Sequence, residues 1–201
     1  MVNYIKPLYH ILKNYRFYSI YVILYEIYFN IKYDKKFNQF KYLKSNIFSD
    51  SIPCSFFFLQ KIKKFVKKNK VLTICDLGSG YGKIIYFFGI IGSYKIDGVE
   101  LDKEIFNKSK FLINDNIKII NKNILNYDLD ENKYQLLILN DPLKKLDDLE
   151  NLIKYIASIK YSCHIVLINM TEDKYKIIKK NLKIIETYKI SKSKNIIFCG
   201  N

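Results

Sequence analysis

Several residue types are almost missing from this 201-residue chain. Tryptophan is absent, Ala157 is the single alanine, and Arg16 is the single arginine among 34 basic residues. The net charge of +15 is therefore a lysine charge. Nucleic-acid sites rely on arginine for bidentate contacts to phosphates and base edges. With lysines spread along the whole chain, we read the charge as composition, of the kind AT-rich codons produce, on solvated faces. A nucleic-acid partner is not favoured. Four cysteines, Cys54, Cys75, Cys163 and Cys199, form no C-x-x-C pair, and His10 and His164 are the only histidines. That spacing excludes the common zinc frameworks and leaves no metal site to expect. Apolar settings such as LTICDL and IIFCG suit buried free thiols in a reducing compartment, and a cytoplasmic location is the expectation.

Long apolar runs are also scarce. FYSIYVILYEIYF, residues 17–29, is about 13 residues long and is interrupted by Glu26. A spanning helix needs about 20, and no small-residue cleavage site follows to mark a signal peptide. The preferred reading is a tyrosine-rich helix packed on the domain. The alternative is a helix lying on a membrane surface, flanked by Lys6, Lys13, Arg16 and Lys32. Residues 1–50 read as a helical extension, broken at Asp50-Ser51-Ile52-Pro53, and residues 51–201 as the main domain. A helix over 55–68 opens that domain and carries Phe56, Phe57 and Phe58, read first as core.

From residue 71 short β-rich runs alternate with helical ones. Strands are expected at 71–76, 94–100, 117–120, 134–140, 164–169, 183–190 and 195–200, and helices at 81–91, 102–113, 143–158 and 171–181. The first five strands are nearly continuous apolar runs, as in strands buried on both faces. Alternation with helices predicts an α/β fold with a doubly wound, mostly parallel sheet of seven strands. The connection at 191–194 is too short for a parallel crossover, so the last two strands form a C-terminal antiparallel hairpin.

Glycine is the most informative scarcity. Of seven glycines, six lie between residues 71 and 102, in VLTICDLGSGYGKIIYFFGIIGSYKIDGVELD. DLGSGYGK follows the first strand and opens a helix. A glycine-rich turn there lets backbone approach a ligand closely, and the helix start behind it offers free N–H groups to an anion. The dinucleotide pattern G-x-G-x-x-G fails, because its third glycine would fall on Lys83. Asp76 instead precedes glycines at 78, 80 and 82. D-x-G-x-G-x-G at this position resembles motif I of the class I S-adenosylmethionine (SAM) methyltransferases.

That resemblance covers residues 50–201 and implies SAM as cofactor. It implies that Gly78, Ser79, Gly80, Tyr81 and Gly82 surround the methionine end, with Asp76 positioning the loop or the amino group. Tyr81 would lie near the sulfonium or pack against the sheet. Glu100, in GVELD at the end of strand two, would accept from the ribose diol, with Leu101 beside it. After strand three, in NKNILNYD, Asn123 fits the adenine-amino position, with Asp128 as the fallback. Asn140, Asp141 and Pro142, in LLILNDPL at the end of strand four, resemble motif IV beside the transferable methyl group. The tetrad Asp141-Pro142-Leu143-Lys144 lacks the second proline and the aromatic of the base methyltransferases, where the aromatic stacks on a flipped base. The loop most resembles the DLGSG group, which includes the non-SET lysine methyltransferases. A protein lysine is thus the slightly favoured acceptor. A small molecule or lipid is the second, and a SAM-binding module without turnover the third.

Overall fold

The protein is described by a computed structural model covering residues 11–32, 49 and 51–201. The expectations that fall on Lys6, His10 and most of 33–50 lie outside those residues. Within 11–32, a single helical turn at Arg16–Tyr18 leads into α1, Ser19–Lys32.

Helix α2, Phe56–Lys68, begins where Ser55 accepts a hydrogen bond from the Phe58 amide at 3.3 Å. That N-cap satisfies one of the free donors of the first turn. Lys67 and Lys68 sit in the last turn, where cations favour the helix dipole. The sheet strands are β1 (Thr73–Leu77), β2 (Lys95–Glu100), β3 (Ile117–Asn121), β4 (Leu136–Asn140), β5 (His164–Ile168), β6 (Lys183–Ser191) and β7 (Lys194–Gly200). They form one sheet in the order β3-β2-β1-β4-β5-β7-β6. The first five are parallel, and β7 inserts antiparallel between β5 and β6. Only Lys192 and Ser193 separate β6 from β7, a link that no parallel crossover can use.

Alternate residues along the strands face two apolar layers, as the period of two requires. Ile74, Ile138, Val166, Ile196 and Phe198 join the layer of α1 and α2, while Cys75, Leu77, Leu137, Leu139 and Leu167 join the other. Helices α6 (Leu146–Ser158) and α7 (Glu172–Asn181) belong to the second layer, through Leu149, Leu152, Ile153, Ile156 and Ile178. All four cysteines are buried free thiols. Phe56, Phe57 and Phe58 are core: Phe56 stacks on Phe29 at 4.5 Å, Phe57 meets Tyr18 and Tyr25, and Phe58 meets Tyr15.

One expected helix takes another form. Residues 81–91 give only a short α3, Lys83–Ile85, and then a π-helical stretch over Tyr86–Ile90. The Ile91 amide donates to the Tyr86 carbonyl five residues back, at 3.1 Å. The wider turn places Phe87 against Phe29 and Phe56, and Phe88 against Tyr94. Periodicity cannot announce a turn chosen by such distant rings. Helix 102–113 likewise is α4, Lys103–Ser109, finished by a 3-10 turn at Lys110–Leu112. A four-residue helix, α5, spans Leu129–Asn132.

Candidate active site

The carboxyl ends of β1, β2 and β4 converge on the glycine turn. Gly78, Gly80 and Gly82 have φ of +89°, +55° and +84°, a region where a Cβ meets the backbone. The Gly78 and Ser79 amides both donate to the Val99 carbonyl, at 2.9 and 3.0 Å, which pins the turn to the end of β2. A Cβ on Gly78 would stand 2.8 Å from the Cβ of Pro142, so the turn and the β4 corner share one surface. We expect Gly78→Ala to lose about 1–3 kcal/mol. At roughly 2–4 °C per kcal/mol for a chain of this size, thermal unfolding will show a fall of several degrees. Gly80 is close to residue 51 instead, its position for a Cβ lying 2.7 Å from Ser51 Oγ.

Glu100 is buried at the end of β2. Its Oε2 accepts from the Gly80 amide and its Oε1 from the Asp102 amide, both at 2.8 Å. Burial pushes its pKa up, against the pull of those amide donors. Asn121, which the sequence did not single out, donates to the carbonyls of Glu100 and Leu101 at 2.8 and 2.9 Å and so fixes this strand end. Leu101 itself is exposed.

Asp76 is fully buried, and neither carboxylate oxygen has a hydrogen-bond partner among the described residues. The Ser79 hydroxyl beside it is likewise buried and unpartnered. Burial, with the Glu100 charge added, pushes Asp76 from 3.8 up to about 8. Buried carboxylates are almost always paired.

At the corner after β4, Asp141 adopts φ +46° and pairs with the buried ammonium of Lys174, which also donates to the Leu143 carbonyl at 2.6 Å. Burial raises the Asp141 carboxyl even so. Asn140 Oδ1 accepts from Asn169 Nδ2 at 2.7 Å, and Asn169 has φ +61°. Two left-handed, non-glycine residues thus follow neighbouring strands, and Asp and Asn are the side chains that take that region most readily. Ser49 and Ile52 reach these ends: the Ser49 amide donates to the Pro142 carbonyl at 3.0 Å, and Asn140 Nδ2 to the Ile52 carbonyl at 2.9 Å. Behind them Lys194, at the start of β7, is nine-tenths buried, and its ammonium lies 5.8 Å from the Tyr15 ring. Burial lowers its pKa, against the nearby Cys54 and Asp141.

Tyr81 is buried. Gly82 caps α3, with Leu112 where a Cβ would go. Asn123 uses its Oδ1 to cap the turn Ile124–Asn126, accepting from Leu125 at 2.9 Å. Asp128 caps α5 through the amides of Asp130 and Glu131. The structure brings Asp76, the glycine turn, Glu100 and the Asn140-Asp141-Pro142 corner together, while Asn123 and Asp128 have local capping roles.

Lys83 and Glu26 are further residues that the sequence hid. The Lys83 ammonium is buried, 2.8 Å from Glu26 Oε2 and 4.0 Å above the Phe56 ring. Glu26 Oε1 accepts from the Phe56 amide at 2.7 Å. One carboxylate of α1 thereby joins the glycine turn to the start of α2.

No protein-family model matches this chain, and no curated protein matches it in sequence. Solved structures do match in fold. Magnesium protoporphyrin IX methyltransferase from Synechocystis PCC 6803 with bound SAM is 15% identical, with a TM-score of 0.57, over 71% of this chain and 76% of that one. An RNA methyltransferase from Salinibacter ruber in complex with S-adenosylhomocysteine is 13% identical, at 0.57, over 73% and 92%. The methyltransferase domain of bacterial CtHen1 is 12% identical, at 0.57, over 71% and 96%. The chain shares the α/β fold of these SAM-dependent methyltransferases, whose acceptors differ widely.

Proposed function

We propose that this chain is a SAM-dependent methyltransferase whose cofactor lies along the carboxyl ends of β1 and β2. The observation that carries this reading is Asp76. A buried carboxylate with two unpartnered oxygens, behind a turn of three left-handed glycines, suits a ligand that brings an ammonium group. The fold neighbours with bound SAM or S-adenosylhomocysteine support the same choice.

In this reading Asp76 accepts from the amino group, Glu100 accepts from the ribose diol, and Ser79 and the glycine turn enclose the methionine end. The bound cofactor supplies an electrophilic methyl on a sulfonium. The protein's task is to exclude water and align a nucleophile, which can be worth about 7–11 kcal/mol. Asn140, Asp141 and Pro142 form the acceptor side, with Ser49, Ile52, Tyr15 and Lys194 around it. Asp141 is held by Lys174, so its part is to position an acceptor through a shaped, charge-balanced corner.

The acceptor to be tried first is a protein lysine amine, on the resemblance of the DLGSGYGK loop. A small-molecule or lipid acceptor is the second reading, favoured by the exposed apolar face of α1. Transfer of a tritiated methyl from SAM into separated protein, lipid and small-molecule fractions of a lysate decides between them. Label in protein, released as methyl-lysine on hydrolysis, supports the first reading; label in lipid or small molecules supports the second. Tight SAM binding with no label in any fraction would leave a binding module.

A further inference from the structure

The geometry points to α1 as a docking element for an anionic lipid surface, a role that does not depend on the methyl-transfer reading. Helix α1 has two opposite faces. At about 100° per residue, Ile20, Tyr21, Leu24, Ile27, Tyr28 and Ile31 fall within an arc of roughly 120°. Ser19, Val22, Glu26 and Phe29 fall on the other side. The second set points inward: Val22 and Phe29 are in the core and Glu26 holds Lys83. The first set points outward, with Ile20 67%, Leu24 58% and Ile31 80% exposed. Phe17, just before the helix, is 94% exposed and extends the stripe.

An isolated exposed leucine needs no explanation, but a continuous apolar stripe on one helix does. Its composition suits the boundary between headgroups and acyl chains. Aliphatic residues supply the inserted face, and the phenols of Tyr21 and Tyr28 can sit at headgroup depth. No helix among the described residues is long and apolar enough to cross a membrane, so the element lies on the surface.

Charge selects the occupant. Glu26 is the one acidic residue in the sequences of α1 and α2, and it is turned inward into its pair with Lys83. Lysines border the stripe instead. Lys13 is exposed before α1, and Lys32 ends it, donating to the Tyr28 hydroxyl at 3.2 Å. Lys61 stands over the Tyr188 ring, which in turn meets Tyr18. Lys64, Lys67 and Lys68 are exposed farther along α2. A second copy of the chain would bring +15 against +15, and like charges oppose that contact. Nucleic acid would use the lysines but leave the apolar stripe in water. An anionic bilayer uses both, since each surface lysine adds to the attraction and the stripe inserts.

The test is co-sedimentation of the full chain with vesicles of equal parts phosphatidylcholine and phosphatidylglycerol, beside vesicles of phosphatidylcholine alone. The expected result is binding to the anionic vesicles at least tenfold tighter than to the neutral ones, weakened by salt. The triple variant Ile20→Ser, Leu24→Ser, Ile27→Ser should lose at least tenfold. Its substitutions are all at exposed positions, and an unchanged thermal midpoint confirms that it folds. The double variant Lys61→Gln, Lys64→Gln should weaken anionic binding severalfold and leave neutral binding unchanged. No vesicle binding by wild type overturns the inference, as does a triple variant that binds as wild type does. So do two other outcomes: stripe-dependent dimers without vesicle binding, and RNA binding that ignores the triple variant while vesicles fail to bind.

Discussion

Asp76→Asn is expected to make the ligand-free protein more stable and its cofactor affinity far worse. The wild-type carboxyl is buried without a partner and titrates near 8 in the folded chain, against 3.8 ordinarily. Between those values the folded state keeps a proton that the unfolded chain has released. Stability therefore falls as pH rises from about 4 to about 8, and the loss levels off once the folded chain has ionised too. The amide carries no charge to bury, so the variant's advantage should be absent near pH 4 and largest at pH 8 and above. Thermal unfolding across that range measures it, and a variant less stable than wild type at every pH would contradict the account. In binding, the same change removes the negative charge that pairs with an ammonium and turns one acceptor oxygen into an NH2 donor. Truncating one side of a buried charged pair costs about 2–5 kcal/mol, which is roughly thirtyfold to several thousandfold in Kd. Wild-type affinity for SAM should rise with pH toward 8, because the carboxylate is the binding form, and the asparagine variant should lack that rise.

The second large effect is expected at Glu26. Removing it as Glu26→Ala leaves the Lys83 ammonium buried without its counter-charge and the Phe56 amide without its acceptor. Breaking one side of a buried pair typically costs about 3–5 kcal/mol, or roughly 6–20 °C in the thermal midpoint of a chain this size. The proximity of Lys83 to the Phe56 ring does not replace the carboxylate, since such contacts add about 0.5–2 kcal/mol. Adding Lys83→Met should restore most of the loss, because the charge to be neutralised is then gone. A single-variant loss below about 1 kcal/mol would mean that the pair behaves as a surface bridge. It would also mean that α1 is held by its aromatic contacts alone.

These two expectations mark where the sequence was legible and where it was not. The strands could be read because burial on both faces turns them into continuous apolar runs, as in LLILN and HIVLI. The terminal hairpin could be read from a link too short for a crossover. The glycine turn could be read because three alternate positions need left-handed backbone, and few residues other than glycine take it. Asp76 and Glu100 followed from their places at strand ends. The Glu26–Lys83 pair could not be found this way: its members lie 57 positions apart, and the loop motif that ends at Lys83 says nothing of Glu26. Asn121, Ser51 and Lys174 were hidden for the same reason, since each acts on a segment distant in the chain. The π-helical turn at Tyr86–Ile90 answers to Phe29 and Phe56, and its own residues carry no periodic sign of it. Asn123 shows a local contact that the motif position did not announce: its side chain caps the next turn by accepting from the Leu125 amide.

The most direct measurement is a calorimetric titration of the protein with SAM, S-adenosylhomocysteine and NAD, repeated with Asp76→Asn and Glu100→Ala. The account predicts micromolar binding of the first two, at least thirtyfold weaker binding in the Asp76 variant, a clear loss in the Glu100 variant, and no heat from NAD. Binding of NAD in place of SAM, or no binding of either sulfur ligand by a folded wild type, would contradict it.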